Sequence, residues 1–386
     1  MTAATRLDSR PMRIAYFTES LLPHVDGVSR TLAQLFRTLE AHDVDFRVFA
    51  PFAPGPEVSW SARVRPVRYV HFPPYPDYRV SIPFRHGVGA ELDDWRPDLV
   101  HLVSPTPMAM WAQRWARSRG VPVVASFHTH FVSYFRFYGI GRLEELGWAL
   151  MRRFYRRCRR VYVPSRALIR ELAEHGIGRT KLWSRGIDTA RFSPEKRDPT
   201  LRATALAADG TPLLLLVSRL VREKDLADLV EMHAVLRRRE VPFRLTLVGD
   251  GPMRAELEAA LPDACFAGHQ TGEALARWYA SADVFVFPST TETFGNVVQE
   301  ALASGLPAVV VDRGGPPDQI TPGENGWIAP ANDPVALADL VERLLRDPAE
   351  RERMGRAARA GAMEHDWDTI NGGLLASYAR VIAPSG

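Results

Sequence analysis

Two glutamates eight residues apart, Glu292 and Glu300, bracket the stretch richest in chemistry, Ser289-Thr-Thr-Glu292-Thr-Phe294-Gly295-Asn296-Val297-Val-Gln-Glu300. It follows an apolar run and opens a helix-length segment that ends near Ser304-Gly305. A helix starting near Gly295 offers its first N–H groups and the positive end of its dipole to an anion, and a glycine there lets the ligand approach the backbone. Glu292 and Glu300 then flank a phosphate seat as acceptors for hydroxyls. Taken alone, the pattern also fits a solvated acidic cap and an exposed helix glutamate. A second group favours the phosphate: Arg219 and Lys224, in Ser218-Arg219-Leu-Val-Arg222-Glu223-Lys224, close another apolar run. Arginine brings a forked donor and lysine a point charge, so the pair suits a leaving diphosphate without a metal. No G-x-x-x-x-G-K-[ST] loop occurs, which leaves ATP hydrolysis unsupported. Val248-Gly249-Asp250-Gly251-Pro252 fits a plain βα turn as well as contact with a nucleotide base.

The first half holds fewer candidates. The loop from Glu19 to Arg30, with Asp26 and Gly27 near a helix start, suits an anion or a sugar. Ser126-Phe127-His128-Thr129-His130 follows a strand, and two histidines at one strand end favour function over packing. Residues 131–160 are aromatic and carry eight arginines against two acids, among them Arg152, Arg153, Arg156 and Arg157. That composition suits a membrane-facing surface; nucleic acid is the competing use, but no nucleic-acid-binding module accompanies it. Asp93-Asp94, before Trp95-Arg96-Pro97, reads as a helix end rather than a metal site.

The elements that position these residues alternate short apolar runs with amphipathic stretches, the pattern of βαβ units and parallel sheets. Strands are expected at 13–17, 45–50, 98–103, 122–127 and 160–164, and a second series at 213–218, 243–249, 284–289 and 307–311. A polar connector at 193–211 separates an N-terminal domain, 1–192, from a C-terminal one, 212–365, and residues 366–386 form a last amphipathic helix. Open α/β sheets bind ligands beyond the carboxyl ends of their strands, so a cleft between the domains is the expected site. Residues 1–191 carry 29 basic and 17 acidic residues, net +12, against −8 for the remainder of a chain of net +4. The first half is therefore expected to face something anionic, although 46 arginines among 49 basic residues also make this a matter of composition. Two distant cysteines, Cys158 and Cys265, exclude a disulfide framework. The opening MTAATRLDSRP lacks a signal-peptide core and no apolar run would span a bilayer, so a cytoplasmic location is expected.

The Glu292/Glu300 spacing, the Arg219/Lys224 pair, the Gly249-Asp-Gly251-Pro turn, Arg185-Gly-Ile-Asp188, the Gly27 loop and His128 together resemble the family-four retaining glycosyltransferases, over nearly the whole chain. The resemblance implies two Rossmann-like doubly wound domains facing a cleft, of GT-B type, with the last helix returning to the first domain. It implies that Arg219 and Lys224 hold the diphosphate, aided by the N–H groups of Asn296 and Val297. Glu300 would hold the ribose, Glu292 would contact hydroxyls of the transferred sugar, and His128 would line the sugar pocket beside the anomeric carbon. Gly27 would let the acceptor loop, with Asp26, approach the phosphate, and Gly249, Gly251, Phe294 and Gly295 would complete the donor side. No cofactor and no divalent metal are expected, and the leaving phosphate oxygen would take the acceptor proton. Phe127-His-Thr-His130 and Trp183-Ser-Arg185-Gly-Ile-Asp188 look like the branch that glycosylates diacylglycerol-type lipids, from GDP-mannose or a UDP-sugar, and Thr293-Phe294-Gly295-Asn296 looks closer to its mannosyl members. The implied partners are a nucleotide sugar, a lipid acceptor and the anionic inner face of the cell membrane, with no nucleic acid. Asp225, where relatives often have glycine, and Pro316-Pro317 depart from the pattern. A nucleotide-sugar 2-epimerase, on a similar two-domain fold, is the rival reading; it would need no lipid-facing surface.

Overall fold

The computed structural model describes residues 6–7, 10–24, 26–72, 75–83, 87–128, 144–205, 207 and 210–383. These fall into two units: unit 1 runs up to His128, resumes over Glu144–Arg185 and takes in the chain from Trp367 onward, while unit 2 is Gly186–Asp366.

Unit 1 is built on a seven-stranded sheet of β1 (Arg13–Phe17), β2 (Asp45–Ala50), β3 (Val64–Pro66), β4 (Leu99–Leu102), β5 (Val123–Ser126), β6 (Arg160–Val163) and β7 (Thr180–Leu182), in the order β7-β6-β5-β4-β1-β2-β3. All neighbours are parallel. Helices α1 (Gly27–Ala41), α2 (Pro107–Ser118) and α3 (Glu144–Tyr155) belong to this unit. The strands are near-continuous apolar runs because a parallel sheet is covered on both faces. The last helix, Trp367–Ile382, packs on α1 and adds Leu374, Leu375, Tyr378 and Val381 to the unit 1 core. Burial of each such side chain stabilises by about 1.5–3 kcal/mol. Hydrogen bonds fix the helix's rotation: Tyr378 Oη lies 2.5 Å from His101 Nδ1, Ser377 Oγ accepts from Tyr162 at 2.9 Å, and Asn371 donates to Thr38 Oγ1 at 3.0 Å.

Unit 2 carries a six-stranded parallel sheet of β8 (Leu213–Val217), β9 (Arg244–Val248), β10 (Cys265–Gly268), β11 (Val284–Phe287), β12 (Ala308–Val311) and β13 (Gly326–Ala329), ordered β10-β9-β8-β11-β12-β13. Along β8, Leu213, Leu215 and Val217 enter one core cluster and Leu214 and Leu216 the other, the period of two of a strand buried on both faces. The order reverses between β8 and β11, where doubly wound sheets bind ligands.

The division of the chain differs from expectation. It falls at Arg185/Gly186, and residues 193–211 are part of unit 2 rather than a connector. Ser193 and Asp198 cap a short turn, Pro194–Lys196, and a helix, Pro199–Thr204. Arg197 and Arg202 both bind Asp283, at 3.1 and 2.8 Å, while Phe192, Ala205 and Ala207 enter the unit 2 core. The charge and turn residues of this stretch serve as caps and ion pairs.

Candidate active site

The two loops at the switch point of unit 2 carry the predicted cations and the predicted helix start. After β8, Arg222–Lys224 form one turn of 3₁₀ helix ending at Asp225, whose φ of 53° is left-handed. That conformation suits the glycine that the resemblance leads one to expect here, and the Asp225 carboxylate accepts both the N–H and the hydroxyl of Thr290, each at 2.8 Å. Thr291 Oγ1 donates to the Glu223 carbonyl at 2.8 Å, and Lys224 Nζ meets Glu292 Oε1 at 2.5 Å. Four contacts thus stitch the loop after β8 to the loop after β11. Lys224 is held almost out of water while Glu292 keeps 26% of its side-chain exposure. Arg219 stands out into solvent, 64% exposed, with Nη2 3.5 Å from Glu223 Oε1.

Helix α4 (Asn296–Ala303) begins as expected, capped by Gly295 with a φ of 85°. The N–H groups of Val298 and Gln299 return to the Gly295 carbonyl, so those of Asn296 and Val297 lie ahead of the first helical bonds, the position from which a helix start binds an anion. A second loop backs this start. Gln319 Nε2 donates to the Phe294 carbonyl at 2.6 Å, Gly315 N–H donates to the Glu292 carbonyl at 2.7 Å, and a Cβ at Gly314 would lie 2.6 Å from that same carbonyl. Pro316 and Pro317 open the 3₁₀ turn Pro316–Gln319 that carries Gln319, and Pro316 Cγ lies 3.0 Å from the Cβ position of Gly295. The Phe294 side chain is buried, so its part is packing. Glu300 is buried too, with Oε2 accepting from Tyr279 Oη at 2.9 Å. Gly249 and Gly251 are explained by close approach: a Cβ would meet the Ser218 carbonyl at 1.8 Å and the Leu220 carbonyl at 2.4 Å, respectively. The turn they form braces the backbone that bears Arg219.

In unit 1, Gly27 is the first residue of α1 and Asp26 its N-cap. Asp26 Oδ1 accepts from Ser29 N–H at 2.7 Å and Oδ2 from Ser20 Oγ at 3.0 Å, so this carboxylate, expected to serve the acceptor, caps the helix. Glu19, at the end of β1, is buried; burial pushes its carboxyl up to about 7, and its Oε2 has no partner among the described residues. His128, at the end of β5, is buried against the Trp183 ring and accepts at Nδ1 from Arg185 Nη2 at 2.7 Å. His130 lies outside the described residues, as do 131–143 of the basic stretch.

The described part of that stretch forms a mixed face. Leu146 and Leu150 of α3 are each 56% exposed, Arg153 continues the same stripe at helical spacing, and Arg157, half-exposed, lies in the turn just after the helix. Gln113 of α2 donates to the Phe154 carbonyl at 3.0 Å, and α2 presents exposed Met110, Arg114 and Arg117 at the same spacing. The Arg157 guanidinium is held below its usual range by partial burial, then by Arg153, Arg117 and Arg114. Arg156 is exposed and Arg152 half-buried, its Cδ 3.4 Å from the Cβ position of Gly176. Among the described residues no helix is long and apolar enough to cross a membrane, and no group of three His, Cys, Asp or Glu is placed to hold a metal.

Two family models match the chain: Glycosyltransferase Family 4 over residues 25–191 and Glycosyl transferases group 1 over 198–361. A GDP-mannose-dependent alpha-mannosyltransferase of Mycolicibacterium smegmatis is 36% identical, covering 96% of this chain and 98% of its own. The chain belongs to glycosyltransferase family 4. A sulfoquinovosyl transferase of Arabidopsis thaliana is 33% identical over 93% of this glycosyltransferase and 72% of its own length. Among solved structures, sucrose-phosphate synthase from Thermosynechococcus elongatus superposes with a TM-score of 0.78 at 23% identity, over 97% of this chain and 100% of that one. The fold is that of the GT-B glycosyltransferases, two α/β domains with parallel sheets. Family membership sets the 2-epimerase reading aside.

Several residues of the glycosyltransferase site escaped sequence reasoning. Tyr279 sits on a helix twenty-one residues before Glu300, Gln319 follows a diproline, and Arg114 and Arg117 precede the stretch singled out for charge. Only Asp225 left a signal, as a departure from glycine.

Proposed function

We propose that this glycosyltransferase moves mannose from GDP-mannose to a diacylglycerol-type lipid at the cytoplasmic face of the membrane, with retention at the anomeric carbon and without a metal. The observation that supports the reading is the stitched pair of loops after β8 and β11, which carry Arg219, Lys224, Glu292 and the start of α4: two cations and a helix N-terminus of the kind a leaving diphosphate needs. Glu292 takes hydroxyls of the transferred sugar, Glu300, aligned by Tyr279, takes the ribose, and His128 serves the sugar from unit 1. No side chain is asked to act as nucleophile: the leaving phosphate oxygen accepts the acceptor's proton as the new glycosidic bond forms. The mannosyl donor is supported by three relatives bearing the same GDP-mannose-dependent name at 34–36% identity. The lipid acceptor is supported by the face of Leu146, Leu150, Met110, Arg114, Arg117, Arg153 and Arg157. Each arginine near an anionic leaflet contributes about 1 kcal/mol, and exposed leucines add apolar insertion.

The test is transfer from GDP-mannose, and separately from UDP-glucose and UDP-sulfoquinovose, to a diacylglycerol-type acceptor in anionic and neutral vesicles. Transfer from GDP-mannose on anionic vesicles, falling with salt, is expected. Preference for a UDP-sugar would move the enzyme to the sulfoquinovosyl side of its relatives, and equal activity on a soluble saccharide would overturn the lipid acceptor.

A further inference from the structure

Arg185 belongs to the Trp183-Ser-Arg185-Gly-Ile-Asp188 motif, and nothing in the donor cluster uses it. Its guanidinium is buried, 4% exposed, and is pulled down by that burial to about 9, which leaves it a cation at neutral pH. It is held from three sides: Nη1 donates to the Trp183 carbonyl at 3.1 Å, the Cζ lies 5.2 Å from the centre of the Trp183 ring, and Nη2 donates to His128 Nδ1 at 2.7 Å. A guanidinium only donates hydrogen bonds, so the nitrogen it meets must accept. His128 Nδ1 therefore carries no proton, and the neutral ring carries its one proton on Nε2. The Trp183 ring lies against both members of the pair, its centre 5.4 Å from that of the imidazole at an interplanar angle of 69°.

We propose that Arg185 is a positioning residue that locks His128 as a neutral imidazole with its proton on Nε2, so that His128 serves the sugar as a hydrogen-bond donor and never as a base. The inference rests on the placement of His128 at the sugar. Among the described residues, the charged and titratable groups that face His128 are Arg185, on the segment after β7, and His101 on β4. Burial holds His101 down to about 3 and so neutral, with Nδ1 at Tyr378 and Nε2 at Ser126 Oγ, both at 2.5 Å. Neither neighbour stabilises an imidazolium. A base at this point would accept the acceptor's proton itself and compete with the leaving phosphate oxygen; a fixed donor leaves that proton to the phosphate.

The test reads the ring directly. Long-range proton–nitrogen correlation NMR of the unmodified enzyme, with His128→Gln for assignment, is expected to show a bare Nδ1 and a protonated Nε2 with no titration from pH 5 to 8. Arg185→Met is expected to release the tautomer, so that the proton divides between Nδ1 and Nε2, and to raise the His128 midpoint while burial still holds it below the ordinary value, with an about fivefold loss in kcat/KM. Arg185→Gln, which still offers an N–H to Nδ1, is expected to keep the tautomer and recover most of the rate. A proton on Nδ1, or a His128 that titrates normally in the unmodified enzyme, overturns the proposal without any assay of transfer. If the tautomer is as stated but His128→Gln transfers mannose at the parent rate, the locked tautomer stands and the role of His128 at the sugar falls.

Discussion

Each unit of the enzyme holds a cation against a side chain at a strand end, and the two pairs are built differently. In unit 2, Lys224 meets Glu292, a carboxylate that keeps 26% of its surface in water. In unit 1, Arg185 meets His128, both buried to within a few per cent. A pair with one solvated partner costs little to open, so under the proposed function an entering diphosphate would take Lys224 and free Glu292 for the sugar. Arg185 and His128 are both buried, so neither partner opens the pair to water and separation would strand a charge in the interior. On that proposed reading, exchange would belong to unit 2 and fixed geometry to unit 1.

The largest effect expected from this contrast is at Lys224. Lys224→Ala should remove about 3–4 kcal/mol of transition-state stabilisation, a hundredfold or more in kcat, with the fold intact by circular dichroism; a loss under tenfold would mean the pair is structural. Next comes acid. His101 and His128 are held below their ordinary value, so the stability they contribute is complete above about pH 6.5 and is lost as pH falls. Glu19 is raised to about 7, so its contribution runs the other way, complete below about pH 4.5 and lost as pH rises through 7. Between these limits the unfolded chain binds two more protons at the histidines and one fewer at Glu19, and unit 1 should lose about 1.4 kcal/mol per pH unit. In unit 2, His233 is lowered by burial but Asp263 pulls it back. Hydrogen exchange at pH 5 should therefore open β4 and β5 before β8 and β11; the reverse order would break the comparison.

Smaller effects sharpen it. Asp225→Gly relieves the left-handed residue while losing two hydrogen bonds and should be close to neutral, whereas Asp225→Ala keeps the strain and should cost about 1–2 kcal/mol more in thermal unfolding. Tyr279→Phe removes one hydrogen bond from Glu300 and should weaken GDP binding by about fivefold, roughly 1 kcal/mol, measured by calorimetry; no change would detach Glu300 from the ribose.

Much of this was legible in the sequence because it rests on periodicity. The central strands of both sheets, the break between the two series, the last helix and the start of α4 fall where apolar runs and glycines place them. The edge strands β3, β7, β10 and β13 were not, since three or four half-covered residues leave no apolar run. The chain's division was misplaced because charge and proline in 193–211 read as a linker until Asp283, far along the chain, supplies their partner. The cations and glutamates of the site were visible as residue types at strand ends. Their pairing was not: Lys224 with Glu292, Tyr279 with Glu300 and Arg185 with His128 join residues 68, 21 and 57 positions apart, and no local pattern encodes such contacts.

The central claim is transfer with retention, driven by protein cations in place of a metal. It is tested most directly by proton NMR of the first product formed from GDP-mannose and lipid acceptor in excess chelator. An α-linked mannoside, formed at the same rate with and without chelator, is the predicted result; a β-linked product, or turnover that stops in chelator and returns with magnesium, would contradict it.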